Sequence, residues 1–481
     1  MNFFALDKGV SLFRKLIEEQ PETQKRVAKW WYLWEDAPMQ QSDTIAAIAT
    51  APGTGAIAVI RVSGPQARAV VQVCTGGRVL QPRLATLVRV RAADGCVVDE
   101  CVATYFAGPA SFTGEDTVEL SCHGGMLVTR RVLERVLACG ARPAEPGEFS
   151  RRAFENGKLD LTQAEAVMDI IYAGSDLALR AAQNQLQGAI GSQVAAAADT
   201  LINVAAHVEA YIDFPEEDIA PDTTDALLQQ LDAAAGVMQR LLATADEGRL
   251  LREGIRTAIV GAPNVGKSSL LNMLLGYERA IVSSTAGTTR DTIEESVSLG
   301  GLRLRLIDTA GLHDSADAIE RAGMERSRRA GAEADLILEV ADVTAPRMPL
   351  ELSETGAHHL LLLNKCDQPA HPDWAGEEAA IRISCAAGTG REALEQAVEQ
   401  LFLQETGERD NLAAINTRHR HALQQALDYL AAARAALICG ESPEFVDVDL
   451  RASLDALGSI TGRIDTEDIL TRVFATFCLG K

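Results

Sequence analysis

From Thr44 onward the chain alternates short apolar runs with turn residues: IAAIA, AIAVIRV, LVRVRA, CVVDECVATYF and DTVELSC are separated by stretches such as PGTG and SGP. Short runs rich in β-branched residues and bounded by Gly, Pro and Ser predict β-strands. MLVTRRVLERVLACG follows as a helix with its stop signal at Gly140. Residues 43–157 therefore read as an α+β domain. The period then changes: LTQAEAVMDIIYA and NQLQGAIGSQVAAAADTLINVAAHVEAYI are helical, Pro215 and Pro221 break the pattern, and DALLQQLDAAAGVMQRLLATADEGRLLREG resumes it. Helices thus fill 158–254, and helical pattern returns over 407–481. Between them, 255–406 alternates apolar strands with helices. The simplest architecture is a helical domain built from both helical segments, with an α/β domain inserted between them. Insertions are tolerated at surface loops where chain ends lie close together.

Residues 1–42 differ from the rest. They hold three of the four Trp and mix Glu and Asp with Lys and Arg, unlike an acid-poor transit peptide, and they contain no signal-peptide apolar core. The expectation is a non-native extension, with translation beginning at Met39; a small docking helix is the alternative.

Length and composition narrow the class. At 481 residues about three domains are expected, and the 47% hydrophobic content supplies ample core. The sequence contains no apolar run of about 18 residues, so no membrane span is expected. The nine cysteines are odd in number and include no CxxC pair, which argues against a disulfide framework or a zinc site. Reduced thiols in a cytoplasmic protein are the expectation. A formal charge of -22 opposes general nucleic-acid binding. Any RNA contact would depend on a local basic patch or a basic partner.

The chemistry concentrates in 255–406. TAIVGAPNVGKSSLLNMLLG reads as a strand, a Gly-rich loop and a helix. Gly261 and Gly266 let backbone N–H groups curl around a phosphate, Lys267 places a point charge beside it, and Ser268 offers a hydroxyl to Mg²⁺. Asn264, Val265 and Ser269 complete the loop and the helix start, whose partial positive end faces the phosphates. LRLRLIDTAG ends a strand on Asp308, suited to hold Mg²⁺ through water, followed by Thr309, Ala310 and Gly311, whose N–H can meet a γ-phosphate. LLLLNKCD ends another on Asn364, Lys365 and Asp367; the carboxylate can accept from N1–H and the exocyclic amine of guanine, donors that adenine lacks. IRISCA places Ser384, Cys385 and Ala386 where a loop would close over the base. Between the first two motifs lies a switch segment, Ser283, Ser284, Thr285, Ala286, Gly287, Thr288 and Thr289, in which Thr289 can complete the Mg²⁺ shell. Order and spacing predict a GTP site. Leu312 stands where a water-orienting Gln is usual, so another group must orient the water and neutralise the developing charge.

With Asn264, GTTRD and Leu312 read together, the α/β domain resembles the TrmE–Era–EngA group of GTPases. Within that group 44–481 resembles the MnmE (TrmE) family, through IRVSGP, SFTGEDTVELSCHGG, PGEFSRRAFENGKLDLTQAEAVMDII and the terminal FCLGK. The resemblance implies an N-terminal α+β folate-binding and dimerising domain, a discontinuous helical domain and an inserted Ras-like P-loop G domain. It implies a K⁺-dependent GTPase, homodimeric through its G domains. Asn264, Ser283, Thr285 and Thr288 would cradle K⁺, and Glu320 would orient water, although Glu320 alone reads as an acid at a helix start. It further implies a 5-formyl- or methylene-tetrahydrofolate held by Arg61, Glu119, Lys158 and Lys481; by themselves Arg61 and Lys158 read as surface charge, and Glu119 as a helix N-terminal or strand-face acid. Cys478 would be a nucleophile or proton donor, or else a small buried residue. The implied function, in a heterotetramer with the flavoprotein MnmG, is addition of an aminomethyl or carboxymethylaminomethyl group to C5 of wobble uridine U34 in certain tRNAs. An Era- or EngA-like ribosome-assembly switch is the alternative. The sequence departs from the family pattern at Ala262, in the early turn APGTGA and at Leu479.

Overall fold

The computed structural model describes residues 43–213, 224–277, 295–307, 334–348, 356–402, 415–463, 473, 474, 477 and 480. Its architecture is mixed α/β with a large helical part, the fold class expected. The described residues fall into two compact units, one drawn from Met1–Leu159 and Thr471–Lys481, the other from Asp160–Leu470.

The first unit is built on β1 (Ile45–Ile48), β2 (Ile57–Ser63), α1 (Ala67–Cys74), β3 (Thr86–Arg91), β4 (Val97–Phe106), β5 (Thr117–His123), α2 (Met126–Ala138), β6 (Arg142–Pro143) and α3 (Glu148–Glu155). The sheet runs β3-β4-β5-β2-β1-β6. It is antiparallel apart from the β1–β6 pair. Alternation decides its faces: Ala58, Ile60 and Val62 of β2 are buried in the core with Val70 and Val71 of α1 and Val132 and Val136 of α2, so Arg61, between them, points to the other face.

That unit also buries a charged cluster. Arg152 of α3 is 1% exposed and reaches Asp43, Glu115 and Glu148, while Arg142 pairs with Asp43 and Glu148. The chain's end packs here too, with Phe474 and Phe477 buried. Gly480 (φ +94°) lies so close to β1 that a Cβ would stand 2.3 Å from the Ile48 carbonyl oxygen.

The second unit begins with α4 (Leu161–Tyr172), α5 (Asp176–Leu186), α6 (Ala189–Asp213), α7 (Thr224–Ala243) and α8 (Ala245–Glu253). Two stretches that read as continuous helices are divided. Gly188, with φ +89°, separates α5 from α6. At Thr244, whose hydroxyl donates to the Leu241 carbonyl, α7 gives way to α8. Pro215 and Pro221 lie outside the described residues. The later helices α11 (Thr417–Cys439) and α12 (Pro443–Thr461) share one core with α6 and α7. Glu165 of α4 fastens the two chain segments, accepting from Arg418 Nε at 2.9 Å and Nη2 at 3.0 Å. Burial opposes the charge on Glu165, but the His419 ring and the Arg418 guanidinium outweigh it and hold the carboxyl down at about 2.

Between these helices the chain forms β7 (Ile255–Val260), α9 (Lys267–Tyr277), β8 (Glu295–Leu299), β9 (Leu302–Leu306), β10 (Leu336–Asp342), β11 (His358–Asn364), β12 (Ile381–Arg382) and α10 (Arg391–Phe402). The sheet order is β12-β11-β10-β7-β9-β8. Only the β8–β9 pair is antiparallel. Its core takes in Leu250 and Leu251 of α8 and Ala178 and Ala181 of α5. No helix among the described residues is long and apolar enough to cross a membrane.

Candidate functional site

In a parallel sheet, ligand-binding loops gather at the carboxyl ends of the strands, and among the described residues the phosphate-loop residues 261–269, Asn364 to Asp367 and Ser384 to Ala386 lie at or just beyond the ends of β7, β11 and β12. β7 ends at Val260 and hands the chain to residues 261–266, after which α9 starts at Lys267. The Lys267 ammonium donates to the Gly261 and Ala262 carbonyls at 2.9 and 2.8 Å. Burial pulls its pKa below the usual lysine value. The ammonium is thus held over the loop, where phosphate oxygens can replace the two carbonyls. Ser268 and Ser269 occupy the first turn of α9 and are exposed, and Asn264 takes a left-handed φ of +64°.

Asn364, at the end of β11, straps the site together. Its Nδ2 donates to the Val265 carbonyl at 2.9 Å, and its Oδ1 accepts from the Cys385 N–H at 3.1 Å. One buried amide therefore joins the phosphate loop, the strand end and the Ser384–Ala386 loop. Asp367 Oδ1 accepts from Ser384 Oγ at 2.6 Å. Ser384 Oγ in turn accepts from the Ala387 N–H at 3.1 Å. The Asp367 carboxylate is exposed, with lone pairs left for two donors on a base.

Lys365, also left-handed at φ +65°, contacts Asp342 Oδ2 at 2.5 Å and the Asn264 carbonyl at 3.4 Å. Asp342 is the group that sequence reading missed. It closes β10 and is fixed by the Thr344 N–H at 2.9 Å and hydroxyl at 2.7 Å. Burial works against its charge, yet Lys365 and Thr344 keep its pKa below the usual value. Its position at the carboxyl end of a central strand was the available signal.

The strap leaves no space beside Gly266, whose φ is +103° and where a Cβ would stand 2.1 Å from Asn364 Nδ2. Gly266→Ala is expected to cost roughly 1–3 kcal/mol of local stability. Guanine-nucleotide affinity should fall with it, because Asn364 must release Val265. A titration with GDP checks this, and wild-type affinity would show that the strap is not needed.

In the first unit, strand register sets Arg61 opposite Glu119, and the two pair through Nε at 3.0 Å and Nη2 at 2.9 Å. The Arg61 guanidinium also lies 5.1 Å from the Phe112 ring centre and 5.7 Å from that of Phe149. This is a charged pair on an aromatic floor, able to meet a flat polar ring. Lys158 is exposed and borders Gly114, on the loop that carries Phe112. Ser283, Ser284, Thr285, Ala286, Gly287, Thr288, Thr289, Asp308, Thr309, Ala310, Gly311, Glu320, Cys478 and Lys481 lie outside the described residues. The donor set in place suits a nucleotide and one Mg²⁺ ligand, Ser268.

Comparison with known proteins adds an independent line. Residues 44–158 match the family model "GTP-binding protein TrmE N-terminus", and residues 161–478 match "MnmE helical domain". The chain is 57% identical over 446 residues to a tRNA modification GTPase MnmE of Akkermansia muciniphila, covering 91% of this chain and 99% of that one. It is 45% identical over 451 residues to the protein of the same name from Opitutus terrae, again covering 91% and 99%. Among solved structures, the FeoB G domain of Methanococcus jannaschii matches 31% of this chain and 97% of its own at 26% identity, with a TM-score of 0.23. That score adds nothing to the argument, which rests on the full-length relatives. Nucleotide-type loops on a parallel sheet, two family models in succession and identity sustained along nine-tenths of the sequence lead to one placement: this chain belongs to the MnmE (TrmE) family of tRNA modification GTPases.

Proposed function

We propose that this GTP hydrolase is K⁺-activated and acts with the flavoprotein MnmG. In that complex it would add an aminomethyl or carboxymethylaminomethyl group to C5 of U34 in certain tRNAs, drawing the carbon from a tetrahydrofolate. The observation that carries the nucleotide half is the Asn364 strap, which sets phosphate loop and base loops at one fixed spacing. Such a site is preorganised and so costs little to assemble on binding.

In this reading Lys267 exchanges the Gly261 and Ala262 carbonyls for β- and γ-phosphate oxygens. The α9 N-terminus faces the same oxygens, Asp367 accepts from guanine, and Lys365 lies along the base. Mg²⁺ held by Ser268, Thr289 and, through water, Asp308 would neutralise phosphate charge. K⁺ held by Asn264, Ser283, Thr285 and Thr288 would supply the positive charge that an arginine supplies in other GTPases. Glu320 would position the attacking water in place of the missing Gln. In the first unit Arg61, Glu119, Lys158 and Lys481 would hold the folate, Glu119 accepting from the pterin's amino and ring N–H donors and the cations meeting its carboxylates. Cys478 would serve that site as a nucleophile or proton donor.

The test is GTP turnover in K⁺ and in Na⁺ at matched ionic strength. Turnover should be strongly K⁺-dependent, the dependence should vanish in Asn264→Ala, and Glu320→Ala should bind GTP without hydrolysing it. Equal rates in both salts would overturn the cation mechanism. Unmodified U34 in cells lacking the protein would support the tRNA role, whereas unchanged U34 would favour the Era- or EngA-like reading.

A further inference from the structure

Residues 43–159 carry 13 Arg and Lys against 11 Asp and Glu, whereas the whole chain carries 45 against 67. The acid excess lies elsewhere, and within 43–159 the positive charge is itself gathered. From Thr44 to Ala93 the sequence holds six Arg and neither Asp nor Glu. Arg61 of that set is taken up by Glu119. The other five, Arg68, Arg78, Arg83, Arg89 and Arg91, belong to α1, to β3 and to the loop between them.

The fold draws these five to one border of the sheet. β3 is an edge strand, with Arg89 exposed between the buried Val88 and Val90. Its pairing with β4 slips at Val90 and Arg91, and the Arg91 side chain runs beside Gly76, where a Cβ would stand 3.7 Å from its Cδ. Arg91 thus borders the start of the loop that bears Arg78. At the far end of that loop the Arg83 N–H donates to the Tyr105 carbonyl at 2.8 Å, and its guanidinium lies 5.0 Å from the Phe106 ring centre. Arg68 lies 5.3 Å from the ring centre of Tyr105. A guanidinium resting on a ring keeps its fork of N–H donors available. Arg68, Arg78, Arg83 and Arg89 are exposed. Of the five, Arg89 alone pairs with a carboxylate among the described residues, that of Glu100. Asp94, in the β3–β4 turn, accepts from the Cys96 N–H at 2.9 Å.

We propose that this border is a tRNA-binding surface on which Arg68, Arg78, Arg83, Arg89 and Arg91 meet phosphates of the RNA backbone. The proposal rests on the tRNA reading above and gives that contact a place in a chain whose net charge opposes it. β3 extends about 17 Å, so its charges reach more than one phosphate, and its free edge adds backbone N–H donors. Arginine on an edge strand also wards off pairing with other chains. That role needs neither Arg68 on α1 nor Arg78 in the loop, and it does not call for a long stretch without acids. Phosphate contacts position an RNA and carry no sequence information, so this surface holds tRNAs alike and leaves the choice of U34 to other groups.

The experiment titrates fluorescently labelled tRNA with the full-length protein over a series of NaCl concentrations, without nucleotide. Each phosphate contact adds about 0.7–0.9 to the slope with which log affinity falls against log salt. Arg78→Gln, a change in an exposed loop, should lower that slope by about one. The triple variant Arg68→Gln, Arg78→Gln, Arg89→Gln should lower it by about two to three, with affinity at about 0.1 M salt down by about tenfold or more. The loss should be equal for tRNAs with and without U34. Lys at the same three positions should keep most of the slope, because an ammonium meets phosphate as a point charge. Arg240→Gln, an exposed change on α7, should bind as wild type does, and GTP turnover should be unchanged throughout. Wild-type slope and affinity in both Gln variants would overturn the proposal. So would wild-type protein that binds no tRNA while U34 modification still depends on it, since every RNA contact would then lie on the partner. Unchanged U34 in cells lacking the protein would instead sink the tRNA reading itself.

Discussion

Asp367→Asn is expected to move nucleotide preference from guanine to xanthine. Guanine presents two adjacent donors, N1–H and the 2-amino group, and the Asp367 carboxylate offers acceptors to both while Ser384 Oγ holds its Oδ1 at 2.6 Å. An amide in the same position keeps one acceptor and replaces the other with a donor. Against guanine that donor meets the 2-amino group, so two buried donors face each other. Against xanthine it meets the C2 carbonyl, and the pairing is complete. Each unpaired buried group costs about 1–3 kcal/mol, more where a charge was involved. Losing one such bond and gaining one clash should lower GDP affinity by roughly 100-fold or more, with XDP gaining by a similar factor. Competition between GDP and XDP for the purified variant reads this directly. A variant that kept its guanine preference would place the base outside the Asp367 and Ser384 loops.

Much of this site is legible in sequence because its chemistry is local. The phosphate loop, Asn364, Lys365 and Asp367 each need a given residue type within a few positions of a strand end, and apolar runs announce strand ends. What escapes is whatever depends on register between strands. Asp342 stands opposite Asn364 because β10 and β11 pair in parallel, and nothing within LILEVAD states that its last residue will meet Lys365. Arg61 and Glu119 were read as separate ligand contacts, whereas β2–β5 register joins them across 58 positions. The same limit applies to helices. Periodicity revealed both helical segments, but the Glu165–Arg418 clasp spans 253 positions and arises only when α4 meets α11. The division at Gly188 was the reverse case: the glycine was visible, yet the apolar period on either side hid the break.

The largest stability effect is expected at Arg152, a residue that sequence reading passed over. It is 1% exposed, and its Nη2 donates to Asp43 at 2.8 Å and Glu148 at 2.9 Å, while Nη1 meets both Glu115 oxygens at 3.2 Å. Arg142 is the second cation of the cluster, against three carboxylates. Removing one partner of a buried ionic group strands the others and costs about 3–5 kcal/mol, so Arg152→Ala should loosen the first unit by that order at pH 7. The pH dependence follows from the carboxyls. Burial works to raise the pKa values of Glu148 and Asp43, but Arg142 and Arg152 prevail and depress both. A depressed carboxyl contributes stability that is present above its unfolded pKa and is lost as pH falls through the folded value. In Arg152→Ala the opposition from burial is no longer overcome, and protonation relieves the stranded charge. The gap between variant and wild type should therefore be widest near neutral pH and narrow below about pH 4, where carboxyls titrate in the unfolded chain. Hydrogen exchange of peptides covering 43–63 and 142–156, measured across that range, separates this unit from the rest of the chain. Arg152→Lys should recover part of the loss, since it keeps the charge but not the fork that reaches three carboxylates at once. If Arg152→Ala exchanged like wild type at pH 7, the cluster would have to be held by Arg142 alone, and the guanidinium buried in α3 would contribute nothing to the fold.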